Sequence, residues 1–122
     1  MFGKEVMAMR QPKGEMCPRF EKAVNILSQR WTALVIYQML ESPKRFGEIQ
    51  SAIGVSGKVL SDRLKNMEQE GLIKRDVYPE TPVIIEYSLT QKGESLEPVL
   101  RDIENWSKEW IEKPGTAKET VE

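Results

Sequence analysis

Apolar residues recur every three or four positions over most of the chain, which is the period of an α-helix. Phe20, Val24 and Leu27 follow this spacing and predict a first helix over residues 18–29, with a proline at the favoured first position. A second helix is predicted over residues 31–40, where apolar side chains cover nearly every side. That all-round pattern predicts a helix buried at the centre of the domain.

Two further helices follow at the spacing of a helix-turn-helix. The third is predicted over residues 46–52, and the fourth runs from the capping residue Ser56 to about residue 70. Only residues 53–55 separate them, and Gly54 suits the left-handed backbone that ends a helix. Two helices joined by so short a turn are typical of a helix-turn-helix unit.

The period then changes from that of a helix to the alternation of strands. Residues 72–77 and 83–89 predict two strands, and the tip between them at 78–82 carries two prolines that stiffen it. A hairpin placed directly after a helix-turn-helix is a wing. The predicted fold is therefore mainly α with a small β-hairpin (α+β), a winged helix-turn-helix.

A long last helix is predicted over residues 91–113, with Thr90 as its cap. A small domain has little core left to cover the apolar face of this helix, so we expect that face to pack against a second chain. The polar segments at 1–16 and 114–122 are predicted to be a flexible arm and tail around a domain at 17–113. The apolar residues predicted to lie in the interface are Leu96, Val99, Ile103, Trp106 and Trp110.

Composition excludes several classes of protein. The chain has 122 residues, which suits one domain. Its apolar runs fall far short of the roughly 20 residues that span a bilayer. It also opens with no secretory signal, so we expect a cytoplasmic location and no membrane partner. A single cysteine and no histidine exclude an intrachain disulfide, the usual zinc sites and triads that need histidine. We therefore expect no metal, no cofactor and no enzymatic activity.

The net charge of −1 hides a basic centre. Residues 43–65 carry a net charge of +3, whereas residues 94–122 carry −4. A basic region within an acidic protein suits the binding of phosphate groups. Chance clustering on a solvated surface is the alternative interpretation.

The fourth predicted helix has two distinct faces. Leu60, Leu64 and Met67 share one side of a wheel of about 100° per residue, and polar residues occupy the other. Such a helix presents donors and acceptors to the major groove of DNA, although an isolated amphipathic helix with a solvated face looks the same. The residues predicted to reach base edges or adjacent phosphates are Ser56, Lys58, Ser61, Asp62 and Lys65. Those predicted to hold phosphates are Lys44, Arg45, Arg63 and Arg75.

Several short motifs occur in order along the chain. They are Cys17-Pro18, residues 30–32 (RWT), 43–49 (PKRFGEI), 60–65 (LSDRLK), 71–75 (GLIKR) and 78–90 (YPETPVIIEYSLT). With these motifs the chain resembles the HxlR family of bacterial transcriptional regulators. The resemblance implies a winged-helix fold, an inverted-repeat operator and, often, repression of a neighbouring gene. It also implies a homodimer in which the first and last helices form the interface, which adds Phe20 and Val24 to the predicted contacts.

Cys17 precedes Pro18 at the predicted start of the first helix. The positive end of a helix and nearby cations lower the pKa of a thiol and raise its reactivity. Regulators of similar sequence sense electrophiles, quinones or oxidants through a cysteine at this position, so the resemblance implies that Cys17 is a redox-sensing residue. A bridge between two chains, a mixed disulfide and alkylation are all open to a single thiol. A small inert residue packed at the helix start is the alternative.

The sequence thus predicts a DNA-binding transcriptional regulator, a homodimeric repressor of the HxlR type that responds to electrophile or oxidative stress through Cys17. Its predicted partners are double-stranded DNA, a second copy of the chain, and a small-molecule or oxidant effector. A regulator controlled by a small non-thiol ligand is one alternative. A winged-helix module that binds protein rather than DNA is another, and it would lack the steep salt dependence of DNA binding.

Overall fold

The structure, a computed structural model, describes residues 17–114 and confirms the predicted fold class. The predicted arm and nearly all of the predicted tail lie outside the described residues. Within residues 17–114, six helices and two strands follow one another, and the chain forms two compact units that divide after Ala33. The elements are α1 (Pro18–Ser28), α2 (Thr32–Gln38), α3 (Phe46–Ile53), α4 (Gly57–Gln69), β1 (Ile73–Tyr78), β2 (Ile84–Leu89), α5 (Gln91–Glu94) and α6 (Glu97–Trp110).

The first unit contains α1, which buries none of its residues within the single chain. Cys17 stands at its N-terminus and Pro18 begins the helix, as the sequence predicts. The predicted second helix begins one residue late, at Thr32, because Trp31 adopts a left-handed backbone with φ of 79°. That conformation cannot continue a right-handed helix, so it fixes the boundary.

The second unit has a core made by one side of each helix and by the inner face of the hairpin. On α2 only one side is buried, since Leu34 is 51% exposed and Tyr37 is also exposed. The prediction of all-round burial for this helix is therefore wrong. The buried positions of α2 share a single arc, as expected of a helix that the other elements cover from one direction only. The core residues from this helix onward include Val35, Ile36, Met39, Ile49, Leu60, Leu64, Met67, Leu72 and Ile73.

An isolated β-bridge, which the sequence pattern does not indicate, joins Lys44 to the outer edge of the hairpin. β1 and β2 pair antiparallel, with Ile73 opposite Leu89 and Tyr78 opposite Ile84. On the other edge of β2, Lys44 N donates to Tyr87 O (2.9 Å) and Tyr87 N donates to Lys44 O (2.8 Å). This bridge fastens the segment before α3 to the wing.

The predicted last helix is broken into two, which corrects the single helix expected over residues 91–113. α5 ends at Glu94, a turn follows, and α6 begins with Pro98 in its first turn. A proline has no N–H to donate to the carbonyl four residues earlier, here that of Glu94, so the helix must restart. Leu96, predicted to lie in the apolar stripe, sits at this turn and is half-buried.

A polar cluster around Arg101 connects α6 to α2. Tyr37 Oη donates to Glu104 Oε2 (2.9 Å), and Arg101 Nη1 donates to Tyr37 Oη (3.3 Å) and to Glu104 Oε1 (3.4 Å). The hydrogen bond from Tyr37 is the main cause that lowers the pKa of Glu104 below its usual value. This cluster and the buried Leu100 lie on the side of α6 that packs within the second unit. The apolar side chains on the other side of α6 are therefore exposed.

Candidate nucleic-acid interface

The turn between α3 and α4 is held by three local features. Gly54 has φ of 68° and ψ of 40°, the left-handed conformation predicted for it, and its N–H donates to Gln50 O (2.9 Å). Ser56 Oγ accepts from Val59 N (3.2 Å), which confirms the predicted cap of α4. Glu48 reaches back to the start of α3, where its Oε1 accepts from Arg45 N (2.8 Å). Together these contacts set the direction in which α4 leaves the turn.

α4 packs on the core through one side and exposes the other. Leu60, Leu64 and Met67 are buried, as predicted from their spacing. On the exposed side Lys58 Nζ lies 3.5 Å from Asp62 Oδ2, one helical turn away. An ion pair this exposed contributes little to stability, so a DNA ligand can separate it at small cost.

α4 and the wing together form a cleft that gathers two of the predicted cations. Lys65 and Arg75 line it together with Ser61, the acidic Glu68, and the buried Leu64 and Tyr87. Its volume is about 300 Å³. Arg75 belongs to β1 and pairs with Tyr87 of β2, so the wing brings it close to α4. This juxtaposition of Ser61, Lys65 and Arg75 depends on tertiary packing, and the sequence pattern alone does not specify it.

The other predicted contacts lie around this surface rather than in one place. Arg45 and Ser56 are exposed at the N-terminal ends of α3 and α4. Lys44 is half-buried, and its ammonium group donates to Ser42 Oγ (2.8 Å). Arg63 is also half-buried and lies about 160° around α4 from Lys65, so it flanks the opposite edge. The structure therefore groups Ser61, Lys65 and Arg75, while the predicted DNA roles of all nine residues stay predictions.

The outward side of α6 carries a stripe of apolar side chains. Val99, Ile103, Trp106 and Trp110 are all exposed in the single chain, the two tryptophans by 59% and 69%. A row of exposed aromatic and aliphatic side chains on one side of a helix is typical of a surface that a protein partner covers. On α1, Phe20 and Val24 are exposed as well. Their predicted place in a dimer interface stays a prediction.

Cys17 is exposed, and its surroundings favour the thiolate. The backbone N–H groups of Phe20 and Arg19, in the first turn of α1, lower the pKa of the Cys17 thiol, and the Arg19 charge adds to this effect. These amides form the positive end of the helix and attract a negative sulfur without a capping hydrogen bond. The thiol is therefore accessible and more acidic than an ordinary cysteine.

Metal-ligand clusters and membrane-spanning helices were the other features considered in the sequence. Between residues 17 and 114, no three His, Cys, Asp or Glu side chains come together where they could hold a metal ion. None of the helices described in that range has the length and apolar character needed to cross a membrane.

Comparison with known proteins places these features in context. The family model described as HxlR-like helix-turn-helix matches residues 26–114. The uncharacterized HTH-type transcriptional regulator YvaP of Bacillus subtilis (strain 168) is 59% identical over 101 residues, which cover 82% of this chain and 94% of that protein. The HTH-type transcriptional regulator YodB of the same strain is 41% identical, over 85% of this chain and 94% of YodB.

Solved structures of two regulators are similar to this one. The reduced form of YodB from B. subtilis has a TM-score of 0.70 over 80% of this chain and 97% of that chain, at 41% identity. YodB has also been solved in diamide-treated and quinone-bound forms. The oxidized form of the redox regulator HypR has a TM-score of 0.73 at 28% identity, over 80% of this chain and all of that chain.

Proposed function

The chain belongs to the HxlR-like helix-turn-helix family and is a DNA-binding transcriptional regulator. From this premise we propose that it is a homodimeric repressor that reads an inverted-repeat operator through α4. The observation that carries the proposal is the exposed polar side of α4 beside the cleft lined by Ser61, Lys65 and Arg75. A helix presented in this way fits the major groove, and the adjacent cations suit the flanking phosphates.

The first experiment is selection of duplexes from a random-sequence pool by the purified protein, followed by titration at two salt concentrations. A sequence-specific regulator enriches a palindromic site and binds it more weakly as salt rises, because each neutralised phosphate releases counterions. Enrichment of no site would contradict the proposal and favour the protein-interaction module. The sign of regulation is then tested with a reporter fused to the selected site, where a repressor lowers expression.

Lys65→Ala is expected to weaken operator binding by about 1–3 kcal/mol and to relax the preference at one base pair, because Lys65 faces out from the middle of α4. Fluorescence anisotropy with the selected duplex and single-base variants measures both effects. Lys108→Ala on α6 is the matched control, since it removes an exposed lysine far along the chain from α4. An equal loss on every sequence, with a shallower salt dependence, would instead assign Lys65 to a phosphate.

The exposed apolar side chains on α6 and on α1 support the proposed dimer. Two copies that bury Trp106, Trp110 and their aliphatic neighbours would remove apolar surface from water and place two α4 helices on one face of the DNA. An inverted repeat mirrors such two-fold symmetry. The dimer would therefore fix the spacing of the two half-sites.

We further propose that Cys17 is the switch by which oxidants or electrophiles control DNA binding. It is exposed, and its thiol has a lowered pKa. The diamide-treated and quinone-bound structures of YodB, and the name redox regulator given to HypR, support this assignment by likeness. Modification at the start of α1 would alter how that helix packs in the dimer, and a shift of one or two ångströms between two recognition helices is enough to lose register.

Cys17→Ser is expected to abolish the release of operator DNA by diamide or a quinone while leaving binding by the reduced protein intact. Alkylation of wild-type Cys17 is expected to be faster than that of an ordinary cysteine at neutral pH and to rise with pH to a plateau, with a midpoint lower than that of an ordinary cysteine thiol. The sign follows from the first-turn amides, which stabilise the thiolate. Mass spectrometry follows the alkylation, and anisotropy follows the release.

The matched control moves the thiol to the other end of the same helix. The double variant Cys17→Ser, Ser28→Cys carries an exposed thiol at the last residue of α1, where the helix dipole disfavours a thiolate. Slower alkylation and no diamide response are expected. If Cys17→Ser releases DNA in diamide as the wild type does, the thiol is not the switch, and a small non-thiol ligand becomes the leading effector.

Its relatives are transcriptional regulators, and we propose that this chain likewise acts without enzymatic activity, metal or cofactor. A cytoplasmic location suits a protein whose ligand is the chromosome.

A further inference from the structure

α4 exposes one large apolar side chain, at Val59. The other large apolar residues of this helix, Leu60, Leu64 and Met67, are buried, whereas Val59 is 40% exposed. It lies in the first turn, within about 60° of Asp62 around the helix axis. Val59 therefore belongs to the outward side of α4 and leaves a large part of its apolar surface in water.

Local helix stability does not explain a valine at this position. Val59 is the third residue of α4, three after the cap Ser56, and glutamate or glutamine at this place completes a capping box. α3 uses that arrangement, with Glu48 accepting from Arg45 N. α4 instead carries a β-branched residue, which has a lower helix propensity than glutamate or glutamine. A carboxylate here would also face the phosphates of a bound duplex.

The backbone and side chain of Val59 have little conformational freedom to lose, which favours an apolar contact. Its N–H donates to Ser56 Oγ (3.2 Å), so the cap fixes its backbone. A β-branched side chain in a helix has one strongly preferred rotamer, which means that its two methyl groups lose little freedom on binding. In the major groove the apolar group presented by a base pair is the 5-methyl group of thymine.

We propose that Val59 is a specificity-determining residue whose methyl groups contact the 5-methyl group of a thymine in each half-site. The inference rests on the proposed entry of α4 into the major groove. The other residues predicted to contact DNA are polar or charged, so Val59 would contribute the one apolar contact among them. Val59 thereby selects a T·A pair at one position of the operator.

The test replaces thymine by deoxyuridine, which lacks only the 5-methyl group. The probe is the highest-affinity duplex that the wild-type protein selects from a random pool, with each thymine replaced in turn. Removal of the contacted methyl is expected to weaken wild-type binding about fourfold per half-site, the effect of exposing one buried methyl group. Val59→Ala is expected to bind the thymine and deoxyuridine duplexes almost equally.

Val77→Ala on β1 is the matched control, because Val77 is an equally large exposed valine in the wing. This variant should retain the deoxyuridine penalty, whatever its own affinity. A penalty that survives in Val59→Ala, or wild-type binding insensitive to every thymine methyl, would overturn the inference. If either result occurs while Lys65→Ala still weakens operator binding as expected, the proposed role of α4 stands and only the inference about Val59 fails. If Lys65→Ala has no effect on binding either, the proposed role of α4 is refuted as well.

A second variant separates recognition from folding. Val59→Gln restores the capping-box pattern, so its thermal midpoint is expected to be equal to or higher than that of the wild type. Its affinity for the selected duplex is nevertheless expected to fall, and the deoxyuridine penalty to vanish. A lower midpoint with an unchanged deoxyuridine penalty would show that Val59 serves the fold, and the inference would fail.

Discussion

Trp106→Glu is expected to convert the proposed dimer into monomers and to reduce operator affinity to the non-specific level, about 10³-fold or more weaker. Trp106 is 59% exposed in the single chain and is not one of the buried core residues, so the substitution should leave the core of the domain intact. Its carboxylate would have to be buried unpaired between two copies, which is strongly unfavourable. Sedimentation velocity measures the mass, and anisotropy on full and half-site duplexes measures the affinity.

Asn105→Glu is the matched control for this substitution. It adds the same charge one residue earlier on α6, on an exposed position about 100° around the helix. It should leave both the mass and the operator affinity near the wild-type values. A Trp106→Glu protein that remains dimeric would place the interface elsewhere and contradict the assignment of the α6 stripe.

Gly93→Ala is expected to destabilise the domain by about 1–3 kcal/mol, toward the upper end because the obstacle is backbone. A Cβ at Gly93 would overlap the carbonyl oxygen of Leu72 and lie 3.2 Å from its carbonyl carbon. That carbonyl already accepts a hydrogen bond from Thr90 N (3.0 Å), so it cannot move aside freely. Thermal unfolding followed by circular dichroism should record a fall of about 4–8 °C for each kcal/mol.

Gly47→Ala provides the comparison within the same domain. Gly47 lies in α3 and has nothing within 4 Å of the place a Cβ would occupy. Alanine there should raise the melting temperature slightly, since glycine within a helix costs roughly 0.5–1 kcal/mol. Equal melting temperatures for Gly93→Ala and the wild type would mean that α5 does not pack tightly on the start of β1.

The sequence predicted well those features that depend on neighbours along the chain. Ser56 and Thr90 cap their helices, and Gly54 takes the left-handed conformation, because each needs only the residues within one turn. The buried side of α4 also agrees with the prediction, since Leu60, Leu64 and Met67 recur at helical spacing over about two turns. The break before α6 had a local signal in Pro98, but the strong apolar repeat after it predicts one continuous helix.

Features that join distant parts of the chain had no such signal. The bridge between Lys44 and Tyr87 involves a single pair of residues, too short for any alternation to predict. The meeting of Lys65 and Arg75 in one cleft requires the hairpin to fold back on α4. One-sided burial of α2 likewise depends on how many elements surround it, which composition does not specify. The exposure of Val59 also has no local signal, because a valine in an amphipathic helix usually lies on the buried side.

The ion pair between Lys58 and Asp62 has a consequence for how this protein searches a chromosome. If this side of α4 enters the groove as proposed, the carboxylate of Asp62 would repel the phosphates of every sequence alike and would hold Lys58 until a correct partner replaces it. With a net charge of −1, the whole chain also has little general attraction to DNA. Fewer molecules are then retained on the millions of irrelevant sites that compete with an operator. A small number of copies per cell can therefore occupy the correct site.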